Sequence, residues 1–170
     1  MNPILSAGLL IGLLCSAWMF VVGFTGWYRD PTLSRLFFFV IVIEVAGLVW
    51  GLRRTAAMGR SYGRQVLAGT MMAIVAGVII IASSLIFTTV AFPDYLTEVE
   101  KSTRATLQER GMSEADIAAA IQANAASATP MAQAESGFIG TLVTGILASA
   151  LIALFIPGRR RTPSPSSVPL

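Results

Sequence analysis

Glu44 is the residue whose chemistry stands out. It follows the run Leu36-Phe37-Phe38-Phe39-Val40-Ile41-Val42-Ile43 and precedes Val45-Ala46-Gly47-Leu48, so a carboxyl sits in the middle of an apolar stretch. A charge at the centre of a bilayer costs about 3 kcal/mol on insertion scales. No lysine or arginine stands at that depth in any apolar run. A desolvated carboxyl with no counter-charge favours its neutral form, and Glu44 is expected to be protonated at neutral pH. Two roles suit such a group: a neutral hydrogen bond between helices, or a proton or cation site. Gly47, Leu48 and Gly51 lie at i+3, i+4 and i+7 and share its helix face. Glu44 is therefore expected to look into a close-packed seam. Cys15 or Ser16 from the first apolar run and Ser149 from the last should lie at similar depth as its partners.

Little else in the chain could do chemistry. There is no histidine, which excludes His-based acid–base catalysis, histidine pH sensing and zinc sites that use imidazole. No nucleophile–base constellation and no metal-ligand spacing is present, so neither an enzyme, a cofactor nor a metal is expected. Gly59-Arg60-Ser61-Tyr62-Gly63 lacks the rest of a phosphate-loop pattern and reads as a loop. The single cysteine, Cys15, cannot form an intramolecular disulfide and behaves as a small hydrophobe in lipid.

The elements that must position Glu44 are long apolar helices. Of 170 residues, 55% are hydrophobic and 12% charged, half the charge of an average soluble domain at about 25%. Val66 to Phe92 runs without a charge, longer than the roughly 20 residues that a bilayer core requires. Four spans are predicted, at about 4–26, 33–52, 66–92 and 137–156. Trp27 and Tyr28 stand where an aromatic belt belongs, and Arg29-Asp30-Pro31-Thr32 makes a turn between the first two spans. Met1 to Tyr28 carries no side-chain charge, so the basic start of a secretory signal is missing. Leu13-Leu14-Cys15 falls short of a lipoprotein site because Leu14 is not small. A retained first span is the expectation.

Between spans three and four, Asp94 to Ser136 carries seven acids against three bases, a net of −4. It reads as an extramembrane pair of helices within about 94–126. Gly111 is placed to end the first, and Ser113-Glu114-Ala115-Asp116 to cap the second. The first of them, with Tyr95, Val99, Thr103 and Leu107 at i+4 spacing, could lie on a membrane surface. Packing over the mouth of the bundle is the plainer reading. Pro157-Gly158 stops span four, Arg159-Arg160-Arg161 anchors it, and 162–170 reads as a disordered Pro/Ser tail. Residues 1–161 form one domain. Arg53, Arg54, Arg60 and Arg64 crowd the loop between spans two and three, and arginine-rich loops stay cytoplasmic. Four spans put this loop and the C-terminal arginines on the same side, so both termini are predicted cytoplasmic and the acidic segment external. The pI near 9.6 reflects these anchors and not nucleic-acid binding.

Small residues recur at four-residue spacing in every span: Gly8 and Gly12 in the first, Gly47 and Gly51 in the second, Gly69 and Gly77 in the third, Gly137 and Gly145 in the fourth. Membrane helices pack through such ridges because lipid supplies no hydrophobic drive between them. They are expected to pack one bundle, with a homodimer through span four or another membrane protein as the sharper reading of the longest ridge.

Gly51-Leu52-Arg53, a short basic loop, and Ser61-Tyr62-Gly63-Arg64-Gln65 opening a Gly-rich span form one pattern. Phe92-Pro93-Asp94-Tyr95, a charged helix and Gly111-Met112-Ser113-Glu114-Ala115-Asp116-Ile117 form another. Together they resemble a bacterial family of small four-span inner-membrane proteins known only as a domain of unknown function. The resemblance covers about Leu5 to Arg161. It implies a four-helix inner-membrane protein with a helical excursion before the last span, and no activity. The expected fold is an all-α four-transmembrane-helix bundle with an extramembrane helical pair between spans three and four. The expected function is that of a non-enzymatic accessory or structural membrane protein acting through helix contacts. The alternative is a small proton- or cation-coupled carrier using Glu44.

Overall fold

The computed structural model describes residues 2–156, all of whose regular elements are helical. Helix α1 is Pro3–Thr25. A short 3-10 helix, Leu33–Phe38, runs directly into α2, Phe39–Ala56. Helix α3, Tyr62–Ile86, continues as a π-helical turn, Phe87–Ala91. Helices α4 (Tyr95–Glu109) and α5 (Glu114–Asn124) follow, and α6 is Pro130–Phe155. Four helical segments are long and apolar enough to cross a membrane: Pro3–Thr25, Leu33–Ala56, Tyr62–Ala91 and Pro130–Phe155. The shortest has 23 residues, and at about 1.5 Å per residue it exceeds the roughly 30 Å hydrocarbon core. The proposed arginine anchor at Arg159–Arg161 and the tail at 162–170 lie outside the described residues.

Local chemistry sets the helix ends. Asn2 accepts the Ile4 N–H at 3.0 Å, with Pro3 in the first turn. Gly26 closes α1 in the left-handed conformation at φ 71°, a cost that only glycine avoids. Asp30 Oδ1 accepts the Thr32 and Leu33 N–H groups at 2.7 and 3.2 Å, which builds the turn into α2. Gly111 ends the α4 region at φ 77°, and Ser113 accepts the Asp116 N–H at 3.2 Å to start α5. Helix α6 starts seven residues before the predicted Gly137. Thr129 accepts the Ala132 N–H at 3.2 Å and Pro130 occupies the first turn. The capping threonine and the proline, whose absent N–H would be unpaired there anyway, together begin the helix.

The four long helices form a ring. Helix α3 packs most extensively against α6 and α1, α2 closes the ring between α1 and α6, and α2 meets α3 across the diagonal. Small residues let the backbones approach. A side chain on Gly8 or Gly12 would run into α3 at Val75 or Ile79. One on Gly47 would strike Ile11 of α1, and one on Gly51 would strike Met72 and Ala7. Across the α3–α6 seam, Gly69 accommodates Ser149, Gly77 faces Phe138, Gly137 lies against Ile80, and Gly145 faces Ala73. These ridges are thus occupied by contacts within the chain. The outward face of α6 instead carries exposed Ile139, Val143, Leu147, Leu151 and Leu154.

The two ends of the ring differ. At the end away from α4, Ala7, Ile11, Leu48, Leu52, Ala68 and Met72 form a solid core, nearly all of it inaccessible. Gln65, itself buried, donates to the Ile156 carbonyl at 3.0 Å and closes the last turn of α6 there. At the α4 end an aromatic cluster takes over. The Phe87 ring lies 5.5 Å from Phe20, 4.6 Å from Phe92 and 5.1 Å from Tyr95.

Candidate functional site

Glu44 lies in the second turn of α2 and faces inward, with 3% of its surface exposed. Its neighbours on the same face, Leu48 and Gly51, are buried in the seam. Its Oε1 is buried and has no hydrogen-bond partner among the described residues. In α-helical proteins a buried polar atom without a partner calls for an explanation, because each costs about 1–3 kcal/mol. Here the explanation is a cavity of about 310 Å³ between the four long helices, with Glu44 on its wall. Apart from Tyr95 of α4, the lining residues come mostly from the α4 half of their helical segments: Met19 and Val22 of α1, Val40 and Ile41 of α2, Ile80 and Phe87 of the third span, Gln133 and Ser136 of α6; Thr144 lies just past the middle of α6. Glu44, Cys15 and Ser16 mark the depth at which the cavity stops and the solid core begins.

The sequence-predicted partners are distributed as follows. Cys15 and Ser16 line the same cavity as Glu44. Cys15 directs its thiol to the Val40 carbonyl, with sulfur and oxygen 3.9 Å apart. The Ser16 hydroxyl is buried and unpartnered. Ser149 is fully buried but lies one helical turn beyond Gly145, against Gly69 of α3, and its hydroxyl is also unpartnered. The α6 residue opposite Glu44 is Gly145, where a β-carbon would sit 3.4 Å from Oε1. Gly145 thus leaves room for the carboxyl as well as for Ala73. The structure groups Glu44, Cys15 and Ser16, separates Ser149 from them, and joins none of the four by a hydrogen bond.

Several cavity residues escaped the sequence reading. Ser84 and Thr88 are buried at i and i+4 on the third span, and Thr88 donates back to the Ser84 carbonyl at 2.9 Å. Such back-bonding loosens helices, and the π turn at Phe87–Ala91 follows at once, with the Phe92 N–H bonding the Phe87 carbonyl at 2.8 Å. Single-turn π segments occur disproportionately at functional sites. The legible signal was the Ser83-Ser84 pair and the Thr88-Thr89 pair inside an otherwise apolar span. Gln133 and Ser136 enter the cavity because α6 starts early.

The cavity mouth is bounded by Tyr95 of α4, and α4 is tied down by charge. Arg29 holds both carboxylate oxygens of Glu98, Nε to Oε2 at 2.8 Å and a terminal nitrogen to Oε1 at 3.0 Å. The Tyr28 hydroxyl donates to the same carboxylate, and Ser102 donates to the Arg29 carbonyl at 3.3 Å. The Arg29 hydrogen bonds, then the one from Tyr28, hold the Glu98 carboxyl below the usual carboxylate range. Burial, and then its bond to Glu98, push the Tyr28 phenol up. Tyr28 is therefore buried as a latch, although its position after span one reads as a belt residue. Helix α4 joins α5 through Gln108, which donates to Glu114 at 2.7 Å.

Four apolar helices in a ring, with a buried carboxyl in a cavity at one end, are compatible with a multi-pass membrane protein. The chain belongs to the family described as "Protein of unknown function (DUF4199)", whose model matches residues 6–157. The resemblance carried by the Ser61–Gln65 and Phe92–Tyr95 patterns pointed to such a family. No curated protein and no solved structure matches the chain.

Proposed function

We propose that the protein is a small, non-enzymatic carrier of the bacterial inner membrane that takes up a proton or cation at Glu44. The observation that carries this reading is the unpartnered Glu44 Oε1 on the wall of a cavity, with a solid core beneath it. A purely structural carboxyl would be expected to bond a neighbouring helix, because an unpaired buried oxygen destabilises the fold without return. An open α4 half and a closed opposite half suit one state of a carrier that admits solute from one side at a time. The arginine-rich loop at Arg53–Arg64 supports cytoplasmic termini, and the acidic balance of residues 94–136 supports an external α4–α5 pair. The cavity would then open outward.

The experiment is flux through proteoliposomes under a pH step. Wild-type protein should exchange protons or cations well above empty vesicles, and Glu44→Gln, which keeps shape but cannot titrate, should not. Equal flux in the two proteins, or none in either, overturns the carrier reading and leaves a protein that works through helix contacts.

A further inference from the structure

We infer that the solute bound beside Glu44 is an organic monocation with an apolar body, admitted in exchange for one proton. This rests on the carrier reading and narrows it to a substrate class. The cavity, at about 310 Å³, is in the range of pockets for small organic ligands, about 300–1,000 Å³. A bare metal ion is held instead by a tight shell of about six to eight oxygens. Among the described residues, Glu44 supplies the only carboxylate on the cavity wall, and no lysine or arginine lines it. The site therefore matches one positive charge and repels anions. Phe37, Phe38, Phe87 and Tyr95 also line it, and aromatic faces attract organic cations through their quadrupole. A neutral apolar ligand would leave Oε1 as orphaned as it is now. A cationic head beside it gives that oxygen its missing partner, while the ligand's body covers the apolar wall.

The exchange balances. The neutral carboxyl loses a proton to solvent, the cation enters, and the site holds an ion pair of zero net charge. Among the described residues, the other titratable groups facing the cavity are Cys15 of α1 and Tyr95 of α4; the third span and α6 contribute none. Neither carries a positive charge that could replace the cation.

The test is binding of benzyltrimethylammonium to the full chain in detergent, by equilibrium dialysis across pH, beside neopentylbenzene as the uncharged isostere. The expected result is cation binding that strengthens about tenfold per pH unit while the free site holds its proton, with one proton released per cation. Glu44→Gln should weaken it at least tenfold, and Glu44→Asp should retain the pH slope. If Glu44→Gln does not fold, the wild-type slope and the proton count decide alone. Binding of the isostere as tight as that of the cation, or cation binding without a pH slope, overturns the inference in favour of a lipid or detergent chain in the cavity. Proton or sodium flux that depends on Glu44, without organic-cation binding, overturns the substrate class and leaves the carrier reading standing. Absence of both overturns the two together.

Discussion

Gly145 can be tested against a control on its own helix. A β-carbon there overlaps the Ala73 Cβ of α3, whereas one on Gly140 meets nothing within 4 Å. Both substitutions by alanine gain the same helix propensity, roughly 0.5–1 kcal/mol, so their difference isolates the clash. Overpacking a well-filled contact costs about 1–3 kcal/mol. At about 2–4 °C per kcal/mol for a chain of this size, Gly145→Ala should melt roughly 2–12 °C below Gly140→Ala. Adding Ala73→Gly moves the methyl to the opposite helix and should restore most of the loss, a coupling of about 0.5–3 kcal/mol. The assay is thermal unfolding in one detergent, followed by tryptophan fluorescence. Equal melting of the two single variants would refute the close α3–α6 approach, and with it the placement of Gly145 opposite Glu44.

Further outcomes follow from the same geometry. Ser149→Ala should be neutral or stabilising by up to about 1 kcal/mol, since it removes a buried hydroxyl that has no partner; a marked loss of thermal stability would show that Ser149 bonds something essential. The Glu98 latch contributes above the ordinary carboxylate range and is lost as pH falls through its lowered folded value. Spin labels at Thr32 and Gln108 should therefore hold a narrow distance distribution at neutral pH that broadens only below the ordinary carboxylate range, and Glu98→Gln should broaden it at every pH. A narrow distribution in that variant would mean that α4 is held by its aromatic contacts alone. For topology, a reporter after Ala128 should read external and one at Gly59 cytoplasmic, and the reverse pattern would invert the cavity.

The architecture was largely legible because it rests on length and polarity. Charge-free runs, the Asp30-Pro31 turn, Gly111 and the Ser113 cap are local signals, and the helices end close to them. The start of α6 was misplaced because hydropathy weighs the polar stretch before Gly137, while Thr129 and Pro130 nucleate the helix independently of hydropathy. Glu44 was legible as an inward carboxyl from its shared face with Gly47 and Gly51. The cavity was not. It depends on how the four helices pack at the α4 end, where the Phe87 and Phe92 rings crowd against the small Gly23 and a β-carbon would lie 2.5 Å from the Phe87 ring. Ser149 illustrates the limit of depth counting. Residues matched for depth can still differ by a helical turn once two helices pack with their own stagger.

Everything functional here depends on whether the Glu44 carboxyl is reachable through that cavity as a neutral acid. The direct measurement is labelling by dicyclohexylcarbodiimide, an apolar reagent that modifies protonated carboxyls in membranes, read by mass spectrometry of the peptide that contains Glu44. Modification should occur at Glu44, disappear in Glu44→Gln, and slow when an organic cation is present in excess. A Glu44 that stays unmodified in the folded protein, yet reacts once the protein is unfolded at acid pH, would contradict the account.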